Sequence, residues 1–207
     1  MIEWFPGVIS EPGPVDKTGY PNLNVRRGKG VVCHSAEGSL ESALAVLAGP
    51  RRASWHFTVA KDGRVFQHYP LSTVTWHAGF DANEDYVGIE CEGVAGEALT
   101  VDQFWSLVRL LDWIRDQESW PIVERHVTLF EHNEFMPTAC PSGRIPWDRI
   151  IPEMRALAPG RPTDLQIAES AAWLVAHWTS GQGHLVEPYH RERLLWAISN
   201  LPPFEEI

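Results

Sequence analysis

Two apolar runs, GVVCH at residues 30–34 and YVGIECE at residues 86–92, each carry near their end a side chain that can bind a metal or move a proton: His34 in the first, Glu90 in the second. Runs this short and apolar read as strands, and the second alternates before stopping at Gly93. A third stretch, EHNEFMPTACPSG at residues 131–143, is loop-like and holds His132 and Cys140 eight residues apart. Any fold for this chain has to bury the strands and still leave those polar residues usable.

The neighbouring segments supply the rest of a domain. Ser39 is placed to cap a helix over residues 40–48, which Gly49-Pro50 ends. Residues 55–60 and 64–69 flank Lys61-Asp62-Gly63, and two extended runs around Asp-Gly predict an antiparallel hairpin. Thr100 and Gln103 have the spacing of a capping box that opens an amphipathic helix to about residue 117, suited to cover one face of a sheet. A further strand is expected at 121–127, a loop at 131–146, and a helix at 146–156 with a proline near its first turn. Residues 1–29, rich in Pro, Gly and Asn, read as an irregular arm draped over the domain. The cluster APGRPT at 158–163 marks a boundary. It divides the chain into a domain over residues 1–158 and a short helical extension over residues 159–207.

Charge removes one class of partner. With 17 Lys and Arg against 27 Asp and Glu, the net charge is −10 and no basic cluster exists, so nucleic acid is excluded as a partner. No apolar run is long enough to cross a bilayer, and the first residues have neither the basic start nor the apolar core of a signal peptide. Three cysteines in a chain of this size point to packing or metal binding rather than to a disulfide framework, and to folding in a reducing compartment. Ten tryptophans fill cores in most contexts, although the same ring lines saccharide and peptide clefts.

A hydrolytic zinc site needs three protein ligands and one open position, and imidazole and thiolate are ligands zinc prefers. His34, His132 and Cys140 meet that need if the loop between the last two folds back, with Glu90 left over as a base. Each residue alone also has a packing explanation: a satisfied core histidine, a small buried cysteine, a glutamate alternating outward on its strand.

Taken in order, the strand ending in His34, the SWHFTVAKDGRVFQH hairpin at 54–68, TWHAG at 75–79, VGIECEG at 87–93 and the unit from His132 to CPSG resemble the type 2 N-acetylmuramoyl-L-alanine amidases. These are zinc-dependent peptidoglycan amidases that share a fold with peptidoglycan recognition proteins and include many phage endolysins. The resemblance covers roughly residues 30–151. It implies an α/β fold, with a mixed central sheet flanked by helices and a groove over the metal. It implies one catalytic zinc ion on His34, His132 and Cys140, Glu90 as general base, Thr138 assisting at the scissile carbonyl, and His77 contacting substrate. At Trp55 one branch of the family carries a tyrosine whose hydroxyl takes part in catalysis. Tryptophan has no hydroxyl, which shifts the weight to Glu90 and leaves Trp55 as a groove wall that contacts substrate or as part of the core. His126 is a rival ligand, ranked below His132 because only the latter has the family's spacing to Cys140.

The reaction so implied is hydrolysis of the amide between N-acetylmuramic acid and L-alanine in bacterial peptidoglycan. The alternatives are a non-catalytic peptidoglycan-binding module of the same fold and a cytosolic amidase that recycles muropeptides. The endolysin reading has the chain made in the host cytoplasm without a signal peptide, then reaching the wall after the membrane is permeabilised, with no membrane insertion of its own.

Overall fold

A computed structural model of the chain describes residues 4–157 and the single position 171. By contacts the chain divides into two compact units, Met1–Met154 and Arg155–Ile207. The sheet and all the candidate site residues belong to the first. The helical extension expected at 159–207 lies outside the described residues, position 171 apart. No helix among the described residues is long and apolar enough to cross a membrane.

Six strands form one sheet: β1 (Ile9–Ser10), β2 (Gly30–Ser35), β3 (Phe57–Val59), β4 (Val65–Gln67), β5 (Tyr86–Cys91) and β6 (Leu129–Glu131). Their order across the sheet is β1-β4-β3-β5-β2-β6. The hairpin pair β3 and β4 is antiparallel, and the four other pairings are parallel. Among the described residues four helices accompany it: α1 (Leu40–Ala48), α2 (Phe80–Asp85), α3 (Val101–Glu118) and α4 (Trp147–Ala156). The expected α/β class with a mixed central sheet is thus the observed one.

The sheet centre is buried because both of its faces are covered, as parallel strands require. Every residue of β2 is buried. Leu107, Val108, Leu110, Leu111 and Ile114 of α3 have no exposed surface, and the helix packs on β2 and β3. Each such side chain contributes roughly 1.5 to 3 kcal/mol of burial. The ends of the helices follow the sequence signals. Ser39 caps α1 by accepting from the Ser42 amide at 3.3 Å, and Ser119, in the left-handed conformation, closes α3. The capping box of α3 forms only by half. Thr100 Oγ1 accepts from the Gln103 amide at 3.1 Å, but the Gln103 side chain donates to the carbonyls of Val59 (2.8 Å) and Glu92 (3.0 Å), which ties the helix start to the strand ends.

One expected strand fails for a local reason. Residues 121–127 are not a strand. The Glu124 carbonyl accepts from the amides of Val127, Thr128 and Leu129, His126 has φ 63°, and Ile122 and Val127 stay 47 % exposed, so the chain turns there and the strand begins at Leu129. Helix α2 is not foreshadowed in the sequence, because its six residues are too few to show a helical period.

The arm is fastened by buried polar groups. Lys17 Nζ donates to the carbonyls of Leu47 (2.5 Å) and Val46 (3.2 Å), capping the end of α1 with positive charge. On the other side, the Glu11 carbonyl meets His68 Nδ1 at 2.7 Å, and His68 Nε2 meets Thr58 Oγ1 at 2.8 Å. Burial pushes the His68 imidazole down to about 4 from 6.5, against the opposing effect of the Glu11 hydrogen bond. The unfolded chain takes up this proton near 6.5 and the folded chain only near 4. His68 therefore makes the fold lose stability as pH falls through that window, by about 3 kcal/mol. Urea unfolding with a chelator present should show a smaller loss between pH 7 and pH 4.5 for His68→Gln than for the unsubstituted chain. Equal losses would remove His68 from the acid lability.

Candidate active site

The site assembles at one end of β5, β2 and β6, three neighbouring strands that include one edge of the sheet. In β2 and β5 His34 lies directly opposite Glu90, and in β2 and β6 Cys33 lies opposite Glu131. His132, one residue past β6, is thereby delivered beside His34, with ring centroids 4.6 Å apart. A short 3-10 turn, His132–Glu134, follows, and the Asn133 amide donates to the Cys140 carbonyl at 2.9 Å. That bond is how an eight-residue loop folds back. Cys140 Sγ accepts from the Ser35 amide at 3.2 Å and stands 3.9 Å from His34 Nδ1. The ligand atoms of His34, His132 and Cys140 all lie within 4.8 Å of one another. Glu90 Oε1 is 3.9 Å from His34 Nδ1.

The loop is anchored from outside. Glu131 and Glu134 form a reciprocal capping box around the 3-10 turn, Arg125 pairs with Glu134 at 2.8 Å, and Trp147 Nε1 donates to Glu131 Oε1 at 2.7 Å. His126, the rival ligand, belongs to this outer set: its side chain is 69 % exposed and pairs with Glu134 at 2.6 Å. Arg144, which the sequence analysis did not single out, is buried and donates to the Glu97, Cys91 and Glu92 carbonyls and to Ser35 Oγ. It locks the segment just after CPSG onto the ends of β2 and β5. An arginine that close to a candidate ligand was the available signal.

The electrostatics of the cluster call for a cation. Burial, reinforced by the neighbouring His77 and His132, holds the His34 imidazole well below its ordinary range, and burial lowers His132. Burial pushes the Cys140 thiol up to about 12 despite the Ser35 amide, with Glu90 adding to the rise. Burial also pushes Glu90 up to about 8, partly offset by Arg51 and reinforced by Glu37. Glu90 Oε2 is buried with no hydrogen-bond partner among the described residues. Two neutral imidazoles, a thiol and a carboxyl with an orphan oxygen form a costly arrangement alone and a suitable one around a divalent ion. Two nitrogens and one sulfur, leaving a fourth position open, fit zinc better than magnesium or calcium.

The other expected site residues are placed differently. Thr138 is exposed on the loop, and its Oγ1 accepts from the Cys140 amide at 3.2 Å, leaving its own hydroxyl hydrogen to donate. Trp55 is not part of the cluster. It is 4 % exposed, packs with Ala43, Leu47 and Tyr69, and donates from Nε1 to Thr58 Oγ1 at 2.8 Å, so the ring lies in the core and not on a groove wall. His77 does reach the cluster, but both its nitrogens are engaged within the protein. Nδ1 lies 3.1 Å from His34 Nε2, and Nε2 lies 3.1 Å from the Tyr86 carbonyl. Neither remains for the substrate contact expected of it.

The family model for N-acetylmuramoyl-L-alanine amidase matches residues 24–143, more than half of the chain and all of the site. The chain belongs to the N-acetylmuramoyl-L-alanine amidase family. Among solved structures, the amidase is similar to the endolysin N-acetylmuramoyl-L-alanine amidase LysCS from Clostridium intestinale URNW, with 21 % identity and a TM-score of 0.56 over 74 % of this chain and 98 % of that one. It is similar to a selenomethionine derivative of AmpD, with 21 % identity and a TM-score of 0.60 over 75 % and 96 % of the two chains. It is also similar to the catalytic domain of XlyA, with 22 % identity and a TM-score of 0.56 over 70 % and 97 %. At such identities these likenesses establish the fold. No curated protein matches the amidase. Its peptidoglycan-directed amidase activity follows from the family.

Proposed function

We propose that the chain is a zinc-dependent amidase of the endolysin type, which cuts the amide between the lactyl group of N-acetylmuramic acid and the L-alanine of the stem peptide. The observation that carries this is the convergence of His34, His132 and Cys140 beside a buried carboxyl that has no other task. Those three residues would hold the ion. When bound, it would supply Lewis-acid polarisation of the scissile carbonyl, acidify water and favour the ionised form of Glu90.

Glu90 is the proton carrier. Its Oε2 is uncommitted, and burial keeps its proton affinity high enough to take a proton from water and return it to the departing alanine nitrogen. Thr138 donates its hydroxyl hydrogen to the oxygen on which negative charge develops, a contact of a kind worth about 3 kcal/mol. Residues 1–158 form the catalytic domain of this reading, with residues 159–207 as an appended unit. With a net charge of −10 the chain has no long-range attraction to an anionic wall, so engagement has to come from specific contacts.

The discriminating measurement is incubation of the zinc-supplemented protein with purified sacculi and with soluble muropeptides, followed by labelling of new amino termini. An endolysin releases alanine-terminated stem peptides from intact sacculi. Release from muropeptides alone favours a recycling amidase. Wall binding without new amino termini favours a non-catalytic module and overturns the amidase mechanism.

A further inference from the structure

The WHAG motif carries a histidine that the reaction leaves unused, and its surroundings give that histidine a different task. The Tyr86 carbonyl can only accept a hydrogen bond, so His77 Nε2, 3.1 Å away, carries the hydrogen. In a neutral ring Nδ1 is then a bare acceptor, and it faces His34 Nε2 at 3.1 Å. The hydrogen of that contact must come from His34. Its Nε2 is therefore protonated, and its Nδ1 presents a lone pair on the side where Cys140 Sγ and Glu90 Oε1 each stand 3.9 Å away.

The seat of His77 is built for this contact. Its amide and that of Ala78 both donate to Asn83 Oδ1, at 2.9 and 2.8 Å, and Asn83 Nδ2 donates to the Tyr20 hydroxyl at 2.6 Å. The ring lies flat against Gly88 of β5, where a Cβ would come within 2.6 Å of His77 Cγ. Gly88 stands two residues before Glu90 on the same face of the sheet and lies opposite Val32, two before His34. Only a residue without a side chain at 88 lets an imidazole lie across the strand and reach the neighbouring one.

We infer that His77 is a positioning residue: the relay from the Tyr86 carbonyl through His77 to His34 fixes His34 as the Nε2–H tautomer and commits its Nδ1 to the metal. This rests on the metal site proposed above. A ligand histidine that donates its second N–H to a fixed acceptor is held in both tautomer and orientation, and losing such a partner typically lowers metal affinity by about 10- to 100-fold. Here the acceptor is a second imidazole, itself fixed by a backbone carbonyl.

The test uses the full chain in its metal-free and zinc-loaded forms. Long-range proton–nitrogen correlation on the metal-free protein should find His34 protonated at Nε2 and His77 also at Nε2. His34 protonated at Nδ1 overturns the proposal, whatever zinc does. Zinc competition with a chromophoric chelator should then show His77→Phe, which keeps a ring over Gly88 but offers no acceptor, binding about 10- to 100-fold more weakly. His77→Gln, whose amide can accept from His34 and donate to Tyr86, should recover part of that loss. Unchanged affinity in a folded His77→Phe overturns the proposal, as does an equal loss in both variants. If the unsubstituted chain takes up no zinc, the metal reading fails instead, and the tautomer measurement still decides the relay.

Discussion

Glu90→Gln is expected to lower kcat on purified peptidoglycan by about a hundredfold to ten-thousandfold, the range for loss of a positioned general base. Glutamine keeps the shape of the side chain and removes only the proton acceptor, so zinc uptake should persist. Stability should persist too. Burial already pushes the carboxyl up to about 8, and the orphan Oε2 makes an ionised glutamate at this position costly in the metal-free protein. At pH 9 the metal-free variant should therefore unfold at the same urea concentration as the unsubstituted chain or a higher one. Full hydrolysis by zinc-loaded Glu90→Gln would falsify the base assignment.

The second large effect concerns the metal. Exhaustive dialysis against a chelator should abolish turnover, and zinc should restore it. Because an ion that binds only the folded chain stabilises it by mass action, zinc at about a thousand times its Kd adds about 4 kcal/mol. For a domain of this size that raises Tm by roughly 10 °C. Cys140→Ser should lose most of both responses, since the hydroxyl is a poor substitute for a thiolate at zinc. A zinc-induced rise in Tm that survives Cys140→Ser and His132→Ala together would place the ion elsewhere.

Local signals explain which elements were legible. Helix α1 is bounded by a serine cap and by Gly49-Pro50, the hairpin is marked by Asp-Gly, and α3 opens on Thr100, each a device confined to a few residues. At 121–127 the composition suggested a strand, but a strand also needs a neighbour to pair with. A turn around the Glu124 carbonyl delays pairing until Leu129. Trp55 shows the same limit at the level of one side chain. A large ring beside a strand can serve a groove or a core, and here Ala43 and Leu47 of α1, the helix that precedes it in the chain, take it into the core. His77 was visible as a motif member. Its partner was not, because the contact depends on the absence of a side chain at Gly88 on another strand.

The sequence by itself determined the inventory: strands that end in His34 and near Glu90, a loop with His132 and Cys140, and the order of blocks that marks the family. Residue types and short-range spacing carry that information directly. Only the tertiary structure decided which atoms meet. Parallel register sets Glu90 opposite His34, the pairing of β6 with β2 delivers His132 to the same end, and one backbone hydrogen bond returns Cys140 to it. Register is a property of two strands at once. A shift of a single residue would turn Glu90 to the other face of the sheet, and no pattern within one strand records which alignment its neighbour adopts.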